Sequence, residues 1–311
     1  MLRALAAFGI LSAVLAAAEN PIKEISARAI IDRRMPSFRN GYLYVVDPNH
    51  IVTIFGPDGN QLTPIVITGK GHGHVSIQAV GVDTDGTLAI SWSDSPDAGI
   101  DFRDRYGNLL RTMDTGTFIA SDLGFGEGHT LWAVGYQRDA VKPDREETKD
   151  YATVRKYSAD GSALGAYLPK SMFAEGLPPG GQKPVRGITI AHDRVGVELF
   201  SGHVSTEQEW VELDLDGNLK GRWKLERMSS GQGVAFTSDG QAYVERFDRS
   251  TKTRSVLRLN HGTGAWEQVT SPGGYLYGAE GTSLVYGRWP DAVMHLSWYA
   301  QPQAVVTTAS K

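Results

Sequence analysis

An all-β fold made of six copies of one unit is what this sequence predicts, and three observations predict it. A short phrase recurs along the chain: an apolar alternating run, a turn of the Asp-Gly-Asn type, then a second short run. A turn followed by an apolar strand recurs upstream of each phrase. Glycine makes up 36 of the 311 residues, and most of the excess lies in turns, as a chain of many short strands requires. A supersecondary unit repeated at fixed spacing means stacked or radial copies of one module.

The first element is a leader. Arg3 supplies a positive start, Ala4–Leu15 is apolar, and Ala16-Ala17-Ala18 offers a small-residue cleavage site before Glu19. Charge, length and cleavage chemistry are those of a secretory signal peptide. The apolar run is shorter than the roughly 20 residues a membrane span needs. Cleavage after Ala18 is expected, with no membrane insertion afterwards and a periplasmic or extracellular location. A strand follows, in which Ile25, Ala27, Ala29 and Ile31 alternate with their neighbours.

The recurring phrase comes next, at Ile51–Leu62, Ile100–Leu110, Ala152–Leu164, Trp210–Leu219 and, weakened, Ser255–Trp266. The upstream strands are Gly41–Val46, Gly86–Trp92, His129–Val134, Arg194–Phe200, Gly240–Val244 and Gly281–Tyr286. Before most of them lies a third run: Ala79–Asp83, Leu123–Gly126, Gly187–Ala191, Gly233–Thr237 and Tyr275–Gly278. The unit is therefore strand A, turn, strand B, loop, strand C, Asp-Gly turn, strand D. Removing 18 of the 311 residues leaves six units of about 49 residues, the spacing of propeller blades. The expectation is a six-bladed β-propeller with four-stranded antiparallel blades. The last unit has no clear Asp-Gly turn after Ala292–Trp298, so the spare N-terminal strand is expected to close the ring. Gln303–Thr308 is the competing candidate for that slot. No stretch reads as a convincing helix and no linker divides the chain, so residues 19–311 are taken as one domain after the 1–18 leader.

Composition excludes several classes. The net charge of −4 offers nothing to nucleic acid or to an anionic membrane. Absence of cysteine rules out disulfides, thiolate metal sites and a lipidated cleavage-site cysteine. G-x-S-x-G, H-E-x-x-H, P-loop and Rossmann patterns are all missing, and Gly124–Gly128 does not open a helix.

The A–B and C–D connections are tight Asp-Gly turns, whereas the B–C and D–A connections are longer. In a blade these longer loops open on one face, which is where function is expected. At this point the chain resembles NHL-type six-bladed propellers. Thr68–Asp85 is similar to that family's glycine-rich passage into an inner strand, and Asp47–Phe55 resembles its B–C passage. The resemblance implies a propeller with a site near the tunnel mouth. It does not imply a reaction, because the family and its neighbours include binding modules, lactonases, lyases and structural proteins.

Residues at the tops of the inner strands are expected to line the tunnel mouth: His74, Gln78, Asp122, Arg186, Gln232 and Tyr275. Such a polar ring suits a sugar- or peptide-like ligand, an oxygen-coordinated cation, or simply a water-filled tunnel. His72, with His74, reads either as a metal-sharing pair or as part of a solvated glycine-rich loop. Asp94, Asp97, His203, Glu207, Arg288 and Asp291 belong to loops on the same face and are second-shell candidates. Trp289 beside Pro290 is a candidate for stacking on a ligand, while the strand tryptophans are expected to pack between blades. Lactonase-type propellers use Glu, Asn and Asp ligands; Asp122 is the one carboxylate at a matching position here. The leading expectation is an exported module that binds a small molecule or an extended protein segment, with no cofactor. The alternative is a lactonase-like hydrolase or lyase working through a divalent cation at the tunnel mouth. Catalysis itself is left open by the sequence.

Overall fold

Six four-stranded antiparallel sheets form, each in simple up-and-down order. In this computed structural model the described residues are 20–27, 36–47, 50–70, 75–94, 97–138, 150–173, 185–201, 207–225, 233–248, 251–289 and 293–302. The first blade comprises β2 (Ser37–Arg39), β3 (Tyr42–Val46), β4 (Ile51–Phe55) and β5 (Ile65–Val66). The second comprises β6 (Ser76–Val82), β7 (Leu88–Asp94), β8 (Asp97–Arg103) and β9 (Leu109–Asp114). The third comprises β10 (Phe118–Phe125), β11 (Leu131–Gln137), β12 (Ala152–Tyr157) and β13 (Ala163–Pro169). The fourth comprises β14 (Val185–Ile190), β15 (Arg194–Ser201), β16 (Glu207–Asp214) and β17 (Leu219–Leu225). The fifth comprises β18 (Val234–Phe236), β19 (Ala242–Asp248), β20 (Thr253–Asn260) and β21 (Ala265–Val269). The sixth takes β22 (Tyr275–Glu280), β23 (Ser283–Arg288) and β24 (Met294–Tyr299), and is completed by β1 (Lys23–Ala27).

Ring closure is thus made by the N-terminal strand, with Lys23 opposite Trp298 and Ala27 opposite Met294. Residues 303–308, the competing candidate, lie outside the described residues, as do the leader and the second half of the predicted first strand. Among the described residues no helix is long and apolar enough to cross a membrane.

The repeated phrase has a physical cause. In the turn Asp104–Asn108, the Asp104 carboxylate accepts the N–H groups of Tyr106 and Asn108, each at 2.9 Å, and the Asn108 amide at 2.8 Å. Asp214 repeats this with Asp216, Asn218 and the Asn218 amide at 3.1, 2.8 and 3.0 Å. These bonds fix the hairpin and hold both carboxyls below the usual carboxylate range, the asparagine side chain being the largest cause.

Each blade is apolar on both faces because each face meets a neighbour. Six buried clusters result, one per blade boundary: Ile54 with Leu88, Phe102 with Leu123, Val154 with Val197, Trp210 with Val244, Val256 with Leu284, and Phe38 with Val285. The sixth cluster also contains Ala27 of β1, so ring closure and core completion are one event. Inner strands approach closely. A Cβ on Gly81 would lie 3.0 Å from the Leu123 Cβ, and one on Gly124 would lie 3.0 Å from Ile190. Trp92, Trp132 and Trp210 are fully buried between blades. Trp92 donates to Asp101 at 2.9 Å, Trp210 to Glu212 at 2.9 Å, and Trp298 to Glu280 at 2.6 Å, which satisfies these three indole N–H groups, whereas that of Trp132 has no partner among the described residues.

Candidate functional site

Among the described residues four inner strands carry a β-bulge as they approach the loop-rich face. The unpaired residue is Gln78 in β6, Ser121 in β10, Arg186 in β14 and Tyr277 in β22. A bulge adds one residue and re-aims its neighbours, a device common beside functional sites. Of the sequence-derived positions, Gln78 and Arg186 are bulge residues. Asp122 follows its bulge by one residue and Tyr275 precedes its own by two. His72, His74 and Gln232 lie outside the described residues, as do His203 and Asp291.

At the axis the chain builds a buried ion pair. Arg39, at the end of β2, reaches Asp122 of the third blade, with Nη2 2.9 Å from Oδ2. The same oxygen accepts the Ile188 N–H of the fourth blade at 2.9 Å, and the other oxygen accepts the Leu123 N–H at 2.9 Å. Burial works against the Arg39 charge, but Asp122 and Tyr44 outweigh it and hold the guanidinium above its ordinary pKa. Burial also raises the Tyr44 phenol. A cavity of about 100 Å³ surrounds the pair, lined also by Ser37, Gly187, Thr189, Glu198 and Gly233. A second cavity of about 50 Å³ is lined by Asn40, Val82, Gly124 and Phe236. These spaces suit a few waters; drug-sized ligands need about 300 Å³ or more.

Glu245 is a further buried carboxylate, on β19. It pairs with Arg254 and accepts the Leu276 N–H of the sixth blade at 3.0 Å. Burial raises its pKa against the pull of Arg254. The Arg254 guanidinium lies 3.9 Å from the Tyr275 ring centroid. Tyr275 meets Trp289 edge-on at 5.1 Å, and Trp289 meets Tyr277 at 5.7 Å. Two sequence-derived candidates, Tyr275 and Trp289, therefore belong to one aromatic platform capped by a cation.

The remaining candidates are dispersed. Gln78 donates to Ser93 at 3.1 Å. Asp94 is fully buried at the end of β7, opposite Asp97 across the strand pair. Asp97 meets Lys70 at 3.4 Å. Arg288 donates to the Pro272 carbonyl at 2.6 Å and so braces the loop before β22. Glu207 begins β16.

On the opposite, tight-turn face, Asp83, Asp85 and His129 each bring one ligand atom within 4.8 Å of the others. Among the described residues this is the group whose donors suit an ion. His129 Nδ1 lies 2.7 Å from Asp83 Oδ2, tying the second blade to the third.

Arg39, Glu198 and Glu245 were not among the sequence-derived positions. Glu198 and Glu245 had a signal: each is a lone acid inside an otherwise apolar strand, in RVGVELF and AYVERF. A buried charge there needs a partner. Arg39 had none, because β2 has only three residues.

No family model matches the sequence, and no curated protein matches it. Among solved structures, hydrazine synthase of Kuenenia stuttgartiensis is similar at a TM-score of 0.50 and 12% identity, over 80% of this chain and 72% of that one. BamB from Moraxella catarrhalis aligns at a TM-score of 0.42 and 14% identity, over 86% of this chain and 69% of that one. At such identity, the likeness to hydrazine synthase is one of fold.

Proposed function

We propose that this chain is an exported binding module, an NHL-like six-bladed propeller that recognises its ligand on the loop-rich face. The observation that carries the reading is the state of the axis. Asp122 is spent on Arg39 and on two backbone N–H groups, and the space around it is about 100 Å³. A metal-dependent hydrolase would need an open carboxylate donor at that mouth. A carboxylate so satisfied acts as a structural tie between blades instead. Recognition then falls to the surrounding face, where the half-buried rings of Tyr275 and Trp289 meet beside the Glu245–Arg254 pair. Such a platform suits an extended peptide segment or a small planar ligand, because rigid aromatic side chains give contact area at low entropic cost. Export rests on the charge, length and cleavage chemistry of residues 1–18.

Selection from a displayed random-peptide library tests the reading. Peptides that bind the protein are expected to lose about tenfold or more in affinity on Trp289→Ala, as removal of an aromatic anchor costs. A library that yields no binder, or binders indifferent to Trp289, contradicts it. Mass spectrometry of the protein recovered from an expressing bacterium tests export. A mature chain beginning at Glu19 is expected, and an intact leader contradicts it.

A further inference from the structure

A groove of about 550 Å³ runs along the outer strands of the third blade, away from the axis and from the aromatic platform. Its walls include Gln137, Tyr151, Arg155, Tyr157 and Leu164, and its volume falls in the usual range of ligand sites. Phe118 and Tyr157 belong to the core between the second and third blades, so the groove opens on that side.

The donors in this groove have little to donate to. The Arg155 guanidinium lies 4.0 Å from the Phe118 ring centroid, and among the described residues no carboxylate pairs with it. Tyr151 and Tyr157 are each only 6% exposed; the Arg155 guanidinium faces the Tyr157 oxygen and the Gln137 backbone N–H faces the Tyr151 oxygen, while neither phenol proton has an acceptor among the described residues. Buried hydroxyls are rarely left so. Lys170, itself buried, holds its ammonium 5.8 Å from the Tyr151 ring. Among the described residues the acid in the groove wall is Asp150, and it is already engaged, accepting the Ser171 N–H at 2.9 Å, the Ser171 hydroxyl at 2.6 Å and the Tyr151 N–H at 3.0 Å. Among the described residues the groove and its rim thus carry Arg155 and Lys170 against the single, engaged carboxylate of Asp150.

We infer that this groove is a ligand site for an organic monocarboxylate with a flat apolar body, with Arg155 as its anion-binding group. A guanidinium seated over an aromatic ring and free of a carboxylate partner can turn its planar fork to an incoming carboxylate through two parallel hydrogen bonds. The two phenols complete the set of donors. Leu164, 51% exposed, supplies an apolar wall for the ligand body. A single fork and apolar walls fit a monoanion better than a phosphate dianion, whose second charge would stay uncompensated.

Benzoate is the probe, with benzamide as its neutral counterpart and inorganic phosphate as the alternative anion. Calorimetric or NMR titration of the full chain is expected to show saturable one-to-one binding of benzoate and none of benzamide. Arg155→Gln is expected to weaken benzoate about tenfold or more, and Arg155→Lys by less. The double variant Tyr151→Phe, Tyr157→Phe is expected to weaken benzoate too, while the free protein keeps its circular dichroism and a cooperative melt. That double variant keeps the inference testable if Arg155→Gln fails to fold. Equal responses to benzoate and benzamide overturn the inference, as does a folded Arg155→Gln protein that binds benzoate normally. Preference for phosphate overturns the carboxylate assignment.

Discussion

Removing the Asp122 carboxylate is the sharpest perturbation available at the axis. In Asp122→Ala, Arg39 keeps its charge in a site where its side chain is only 26% exposed, and the Ile188 and Leu123 N–H groups lose their acceptor. Stripping one partner from a buried pair costs about 3–5 kcal/mol. Water reaches part of Arg39, which places this case near the lower end, about 3 kcal/mol. For a domain of this size, that is a fall in melting point of about 6 °C. Asp122→Asn keeps an acceptor oxygen and is expected to cost less, about 1–2 kcal/mol. Adding Arg39→Met to Asp122→Ala is expected to recover part of the loss, because the stranded charge is gone. Urea unfolding followed by tryptophan fluorescence and circular dichroism gives all four values. An Asp122→Ala protein within about 0.5 kcal/mol of the parent, or a double variant that shows no recovery, would refute the inter-blade tie.

Two further outcomes are expected. Gly217 has φ +85°, and a Cβ there would come within 2.0 Å of the Tyr167 ring, which is stacked on Trp132; Gly116 has φ +61° with nothing within 4 Å. Gly217→Ala is therefore expected to destabilise more than Gly116→Ala by about 1–3 kcal/mol in the same urea assay, and equal effects would contradict the packing described. Hydrogen bonding to Asp83 raises the His129 pKa above its ordinary 6.5. Its contribution to stability is full below 6.5 and is lost as pH rises through the raised value, so the advantage of the parent over His129→Gln should shrink as pH rises above 6.5. Parallel melting curves for the two proteins would contradict this.

The blades were legible because most carry, between their third and fourth strands, a turn with a chemical reason to recur. Asp104 with Asn108 and Asp214 with Asn218 fix the same hairpin and so leave the same letters. Closure by β1 was legible too, since the last unit was one strand short and the first strand had no partner nearby. The first inner strand was not, because Ser37–Arg39 is too brief to show a period. The bulges escaped for a different reason: one extra residue among apolar neighbours shifts the tunnel-facing position without marking itself, as at Ser121 before Asp122. The Arg39–Asp122 pair spans 83 residues, and no local pattern announces a contact between non-adjacent blades. Tyr275 and Trp289 were each identified from the sequence, but the placing of Arg254 over Tyr275 depends on how the fifth and sixth blades pack.

The measurement that bears most directly on the central claim is the metal content of the purified protein, read together with its melting point before and after chelation. If the axis is a structural tie and the protein a binding module, no stoichiometric ion is lost with Asp122→Asn, and chelation leaves the melting point unchanged. A tightly held divalent ion that survives His129→Gln, disappears with Asp122→Asn, and lowers the melting point on removal would place a metal at the tunnel mouth and contradict the account.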